Sequence, residues 1–168
     1  MPDLRGQLTD EIPRLRRFAR ALTRDRETAD DLVQDTLVRA LRAEARWAGT
    51  NLRVWLFTIL ANLNRNRLRG LARKAPHAEL EEADDGHAIP ATSGESSDIL
   101  RALDALSAEH REVIVLVGVE GLSYDECAEA LSIPVGTVMS RLFRARSILR
   151  DRLNAGDPGS PPHLRVIK

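Results

Sequence analysis

The stretch Gly121–Arg146, GLSYDECAEALSIPVGTVMSRLFRAR, constrains this chain more than any other, because it prescribes two helices and the break between them. Ser123 followed three residues later by Glu126 forms a capping box, in which each side chain pairs a backbone N–H that a helix start leaves open. A helix is therefore predicted from Tyr124. Cys127, Ala128 and Leu131 give it one apolar face. Ser132-Ile133-Pro134 interrupts it, and proline suits the first turn of a second helix, where its missing N–H has no partner to lose. On that second helix Val138, Leu142, Ala145 and Leu149 recur at helical spacing and face inward. Gly136, Ser140, Phe143, Arg144 and Ser147 fall on the opposite side, with Arg141 at its margin. Small residues near the start and arginines further along suit entry into a DNA major groove, where arginine can read guanine or hold phosphate. A plain helical hairpin with a solvated basic face would not require the cap, the break and the two faces to agree.

The formal net charge of zero conceals strong segregation. From Arg39 to Lys74 nine Lys/Arg face Glu44 alone, and from Met139 to Arg152 five arginines face Asp151 alone. Between them, Ala75 to Asp98 holds seven acids and no Lys/Arg. Two basic blocks around an acidic one point to two nucleic-acid contacts and a spacer.

Length and composition set the remaining bounds. A chain of 168 residues has room for one or two small domains. No apolar run approaches the roughly 18 residues a membrane span needs. The N-terminus MPDLRGQLTDEIPRLRR lacks the apolar stretch of a signal peptide, so none is expected. The single cysteine, Cys127, cannot form an internal disulfide, which fits a reducing cytoplasm.

The periodicity along the chain is helical throughout, and an all-α fold is expected. Leu8, Ile12, Leu15, Ala19 and Leu22 predict a first helix over Thr9–Leu22. Asp25 caps a second, with Ala29, Leu32, Val33, Thr36, Leu37 and Ala40 inward and Asp31, Gln34, Asp35, Val38 and Arg42 outward. After an irregular stretch, Glu44–Asn51, Asn51 caps a third helix. Leu52, Leu56, Ile59 and Leu63 are its apolar positions, and Arg65, Arg67 and Arg69 continue the basic side. Gly70 closes a first unit over residues 5–70, and residues 71–97 are expected to be a flexible acidic linker. The second unit covers residues 98–153. Leu100, Leu103 and Leu106 mark a short helix, and Ser107 caps another with Val113, Ile114 and Val117 as its core. Residues 154–168, ending in GDPGSPPH and beyond, read as a disordered tail.

With both units in view, the chain resembles a bacterial RNA polymerase sigma factor of the extracytoplasmic-function group. DDLVQDTLVRAL is similar to the polymerase-binding helix of that family's region 2. GTNLRVWLFTILANLNRNRLR resembles its −10-reading and melting segment, and LSYDECAEALSIPVGTVMSRLFRAR resembles the −35-reading segment of its region 4. The resemblance implies two helical domains and no enzymatic activity or cofactor. It implies core polymerase as a partner, through its clamp and flap surfaces, and promoter DNA as another, duplex at −35 and single-stranded at −10. An anti-sigma factor is a further implied partner, and a stress or envelope regulon the implied target. It assigns Asp31, Gln34 and Asp35 to the polymerase clamp, where carboxylates and an amide can meet arginines in charge-assisted bonds. Two positions depart from the family pattern: Asn66 stands where an acid is frequent, and Met139 where Lys or Arg is frequent.

Promoter opening costs a few kcal/mol per extruded base, which stacking and a fitted pocket must offset. Arg46, Trp47, Asn51, Trp55, Asn62 and Arg65 supply suitable parts: rings to stack, amides to bond base edges, arginines to hold backbone. Trp47, between Arg46 and Ala48-Gly49, is expected to be exposed, whereas Trp55 beside Leu56 fits a core position equally well. For −35 duplex contact the candidates are Gly136, Thr137, Ser140, Arg141, Phe143 and Arg144. No catalytic constellation is present. His77 and His87 fall in the linker, His110 stands alone on a helix and His163 is in the tail, so no metal site is expected. A helix-turn-helix regulator acting on duplex DNA alone would have no role for Arg46–Asn62, and a protein-interaction adaptor would not need two basic blocks.

Overall fold

A computed structural model describes residues 4–47, 49, 51–74 and 101–155, and among these every regular element is helical. The helices are α1 (Leu4–Thr23), α2 (Arg26–Arg42), a 3₁₀ turn (Glu44–Arg46), α3 (Leu52–Lys74), α4 (101–104), α5 (Ala108–Gly118), α6 (Tyr124–Leu131) and α7 (Val135–Ala155).

Helix α1 begins at Leu4 rather than Thr9, because Leu4 and Leu8 extend its apolar stripe by a further turn and are both buried. Pro13 consequently lies inside the helix, on its exposed side, where only one backbone bond is forgone. The chain turns at Arg24, in the left-handed region at φ 57°, and Asp25 caps α2 by accepting from the Thr28 N–H at 2.9 Å. Ala29, Leu32, Val33, Thr36 and Ala40 of α2 are buried as the spacing predicts, and the Thr36 hydroxyl donates to the Leu32 carbonyl at 2.7 Å. Helix α3 buries Val54, Leu56, Phe57, Leu60, Ala61 and Leu63, and Phe18 meets Phe57 edge to face with ring centroids 5.3 Å apart. It does not stop at Gly70 but continues to Lys74, so the first residues of the expected linker are its last turn. The rest of that linker, the N-terminal end of the short helix around Leu100, and residues 156–168 lie outside the described residues.

The second half forms as the capping signals dictate. Ser107 caps α5 by accepting from the His110 N–H at 3.3 Å, and its hydroxyl also lies 3.0 Å from His110 Nδ1. The capping box of α6 is complete: Ser123 Oγ accepts from the Glu126 N–H at 3.1 Å, and Glu126 Oε2 accepts from the Ser123 N–H at 2.8 Å. Ser132, left-handed at φ 55°, ends α6. Pro134 stands just before α7, one position earlier than a first-turn proline, and its carbonyl takes the first helical bonds from Thr137 and Val138. Val138, Leu142 and Ala145 are buried, while Leu149 is half-buried.

The two halves do not stand apart. Helix α3 packs along α6 and α1 packs on α5, so one hydrophobic core runs from Leu4 through Phe57 to Leu142. Arg111, 5 % exposed, helps to close this junction. Its guanidinium donates to the carbonyls of Leu103 at 3.0 Å, Leu106 at 2.7 Å and, across the two halves, Ala21 at 3.2 Å. Burial pushes its pKa down to about 10, so it remains charged at neutral pH.

Candidate nucleic-acid and polymerase interfaces

Three groups of side chains matter, and the fold treats them differently. On α2, Asp31, Gln34 and Asp35 are all exposed, on the side opposite the buried Leu32, Val33 and Thr36. Val38 and Leu41, at 44 % and 40 % exposed, extend this face with apolar surface. An acidic rim beside exposed aliphatic groups is a surface for a basic protein partner.

On α7, Gly136, Ser140, Phe143 and Arg144 are exposed, and Thr137 is half-buried. Phe143 is 77 % exposed, too large an apolar group to be left in water without a use. Arg141 sits at the margin as the spacing predicts: its guanidinium, 22 % exposed, pairs with Glu109 of α5 at 3.3 Å. Met139 is half exposed and joins Val135 and Phe143 in a short apolar stripe. This face has the shape and composition of a groove-reading helix.

The third group surrounds the start of α3. Arg46 is exposed at the end of the 3₁₀ turn. Trp47 is not the free ring its neighbours suggested. It lies half-buried against the core and stacks on Trp55, with centroids 6.2 Å apart and planes 16° from parallel. The two indoles thus form one platform, a relation the sequence hid because the residues are eight positions apart across a loop. Asn51 caps α3 through Oδ1, which accepts from the Val54 N–H at 3.4 Å, and its Nδ2 donates to Glu126 Oε1 of α6 at 2.7 Å. Arg65 donates to Asn62 Oδ1 at 3.2 Å and to the Leu131 carbonyl at 3.1 Å. That carbonyl ends α6, so Arg65 serves as a C-terminal cap from another helix.

Two groups that the sequence did not single out complete the junction. Glu120, whose side chain has no exposed surface, accepts from Arg17 Nε at 2.9 Å, Arg17 Nη2 at 3.0 Å and Arg14 Nη1 at 3.3 Å. The hydrogen bonds to Glu120 raise the Arg17 pKa further above its ordinary value. Gly121, at φ +74°, turns the chain directly after Glu120 and leads it into α6. Arg24 pairs with Asp104 at 3.1 Å. Only the fold could reveal these pairs, since Arg17 and Glu120 lie 103 residues apart.

Cys127 is buried on the inward side of α6, and burial, helped by the Glu112 carboxylate, pushes its thiol up to about 12. It is a packing residue with no thiolate at neutral pH. Among the described residues no group of three or more His, Cys, Asp or Glu is placed to hold a metal ion. His77, His87 and His163 lie outside the described residues. Among the described helices none is long and apolar enough to cross a membrane.

Family models match both halves: the Sigma2 domain of PhyR over residues 8–61, and Sigma-70, region 4, over residues 96–149. The chain is 40% identical to the ECF RNA polymerase sigma factor EcfG of Rhodopseudomonas palustris, over 98% of this chain and 94% of that protein. Among solved structures it resembles the sigma factor RpoE of Bartonella quintana, in complex with the anti-sigma factor NepR. That match has a TM-score of 0.76 and 33% identity, covering 94% of this chain and all of the other. It also resembles CnrH in complex with the cytosolic domain of CnrY, with a TM-score of 0.67 and 31% identity over 90% and 88% of the two chains. The paired regions and the near full-length likeness show that this chain belongs to the ECF RNA polymerase sigma factors, the proteins that direct core polymerase to promoters.

Proposed function

We propose a division of labour among the three groups of side chains. Asp31, Gln34 and Asp35 of α2 grip the polymerase clamp. Gly136, Thr137, Ser140, Arg141, Phe143 and Arg144 contact the −35 duplex. Arg46, Trp47, Asn51, Trp55, Asn62 and Arg65 capture the separated −10 strand. The units are residues 5–70 and 98–153, with the acidic segment as a spacer and the tail beyond 153 outside both. The observation that carries this reading is the exposed α7 face combined with a paired-indole platform beside amides and arginines at the head of α3. A duplex-only regulator has no use for the second of these.

The protein acts in the cytoplasm, where polymerase and promoters are, and carries out recognition and strand separation while polymerase performs the chemistry. RpoE and CnrH were solved with anti-sigma partners, and an anti-sigma factor that covers polymerase-binding surface is the corresponding regulator here, with a stress regulon as its target. Run-off transcription tests the reading. Core polymerase with this protein should give discrete transcripts from a two-part promoter, and core polymerase alone should not. Tight duplex binding by the free protein without any polymerase-dependent transcript would instead favour a conventional repressor or activator.

A further inference from the structure

The groups that should meet nucleic acid at the head of α3 are already bonded to the chain's own helix-turn-helix unit. The Asn51 amide nitrogen is held by Glu126 at 2.7 Å, and one arm of Arg65 by the Leu131 carbonyl at 3.1 Å. Alongside them, the carboxylate of Glu120 is gripped by Arg14 and Arg17 of α1 and is wholly buried. Each acceptor is an anionic or carbonyl oxygen, the same kind of oxygen that phosphates and base edges present. We propose that the free protein is self-closed, with Glu120 as the latch between its halves and Glu126 and the Leu131 carbonyl standing in for the single strand, so that strand capture requires the junction to open.

Scale supports the need for opening. Elements centred near −35 and −10 are separated by about 25 base pairs, or roughly 85 Å at 3.4 Å per pair. Helix α3, with 23 residues, is only about 35 Å long at 1.5 Å per residue, and it touches α6 directly. A molecule in which the two readers are in contact cannot lie on both elements at once. The α7 face stays exposed in the closed form, so closure blocks the −10 function while leaving −35 surface accessible.

The latch has the energetics of a switch. A buried carboxylate between two arginines contributes little net stability while satisfied, but removing one partner leaves an uncompensated charge or an unpaired donor. The equilibrium is therefore sensitive to single changes at Glu120 or Arg17, and the apparent affinity for any partner of the open form is reduced by the fraction of open molecules.

The test, which rests on the sigma-factor reading only in its second arm, uses the full chain spin-labelled at Arg26→Cys and Asp151→Cys. Both positions are exposed, and buried Cys127 stays unlabelled. Double electron–electron resonance on the free protein should give one narrow short-distance population. Glu120→Gln and, separately, Arg17→Gln should each add a longer-distance population, raising the open fraction on the order of tenfold. In the second arm, the same variants should bind core polymerase correspondingly tighter and still support transcription. If Glu120→Gln loses helicity, Arg17→Gln decides, because Arg17 is about half exposed on α1 and its own helix does not depend on it. Narrow, unchanged distances in a folded Arg17→Gln protein would overturn the latch, as would a broad distribution in the unsubstituted chain. Absence of transcription by the unsubstituted protein would sink the functional reading and leave the distance result standing.

Discussion

Glu126 performs a local and a distant task with one carboxylate. Oε2 closes the capping box of α6 on the Ser123 N–H, and Oε1 holds the Asn51 amide 75 residues away. The first task is legible in the spacing S-x-x-E; the second depends on where α3 is placed. Arg144 is the opposite case, since its role rests on the outward phase of α7, and both spacing and exposure agree on it. Arg144→Ala should weaken −35-dependent transcription by an amount equivalent to about 1–3 kcal/mol, the range for a good base contact. Affinity for core polymerase should not change. Parallel measurements of promoter-specific transcription and polymerase binding check this, and unaltered transcription would show that the recognition face lies elsewhere on the helix.

At the scale of an element, α2 is the clearest: a capped, amphipathic helix with its buried and exposed sides where periodicity puts them. Asp31 and Asp35 are one helical turn apart on the exposed side, clear of the core. Replacing both with arginine should abolish polymerase binding and leave helical content intact, since the change sets like charge against a basic partner surface. A pull-down on core polymerase, paired with circular dichroism, reads both outcomes. Normal capture by the folded double variant would remove the clamp assignment. Helix α1 shows where element reading falls short. Pro13 suggests a first turn, yet the helix extends upstream because burial of Leu4 and Leu8 outweighs one lost backbone bond.

For the whole molecule, the consequence of packing the halves together is that the α3 head is both a DNA reader and a part of the internal seam. Trp47→Ala with Asn51→Ala removes the upper ring of the indole platform and the amide that would bond an extruded base. Opening of a paired promoter, followed by permanganate footprinting, should be strongly reduced. A template already mismatched across −10 avoids the melting cost, so activity should return in part and remain below that of the unsubstituted protein. Loss of the Asn51 cap costs about 1 kcal/mol of helix stability, so helicity is measured alongside. Equal opening on the paired template would reduce Arg46–Asn51 to a connector.

The sequence by itself determined the helices, their caps and their faces, because these depend on residues within a turn or two of one another: Ser123 with Glu126, Asp25 with Thr28, Val138 with Leu142 and Ala145. Charge segregation likewise marked two basic blocks without any coordinates. What the tertiary structure alone decided is which of those groups are free. Trp47 stacks on Trp55, Asn51 is bonded to Glu126, and Glu120, one acid among many in the sequence, is buried between Arg14 and Arg17. Pairings across 75 to 106 residues leave no periodic trace, because they are set by how α1 and α3 meet α5 and α6. A side chain's chemistry is written in its type, but its availability depends on what the fold brings against it.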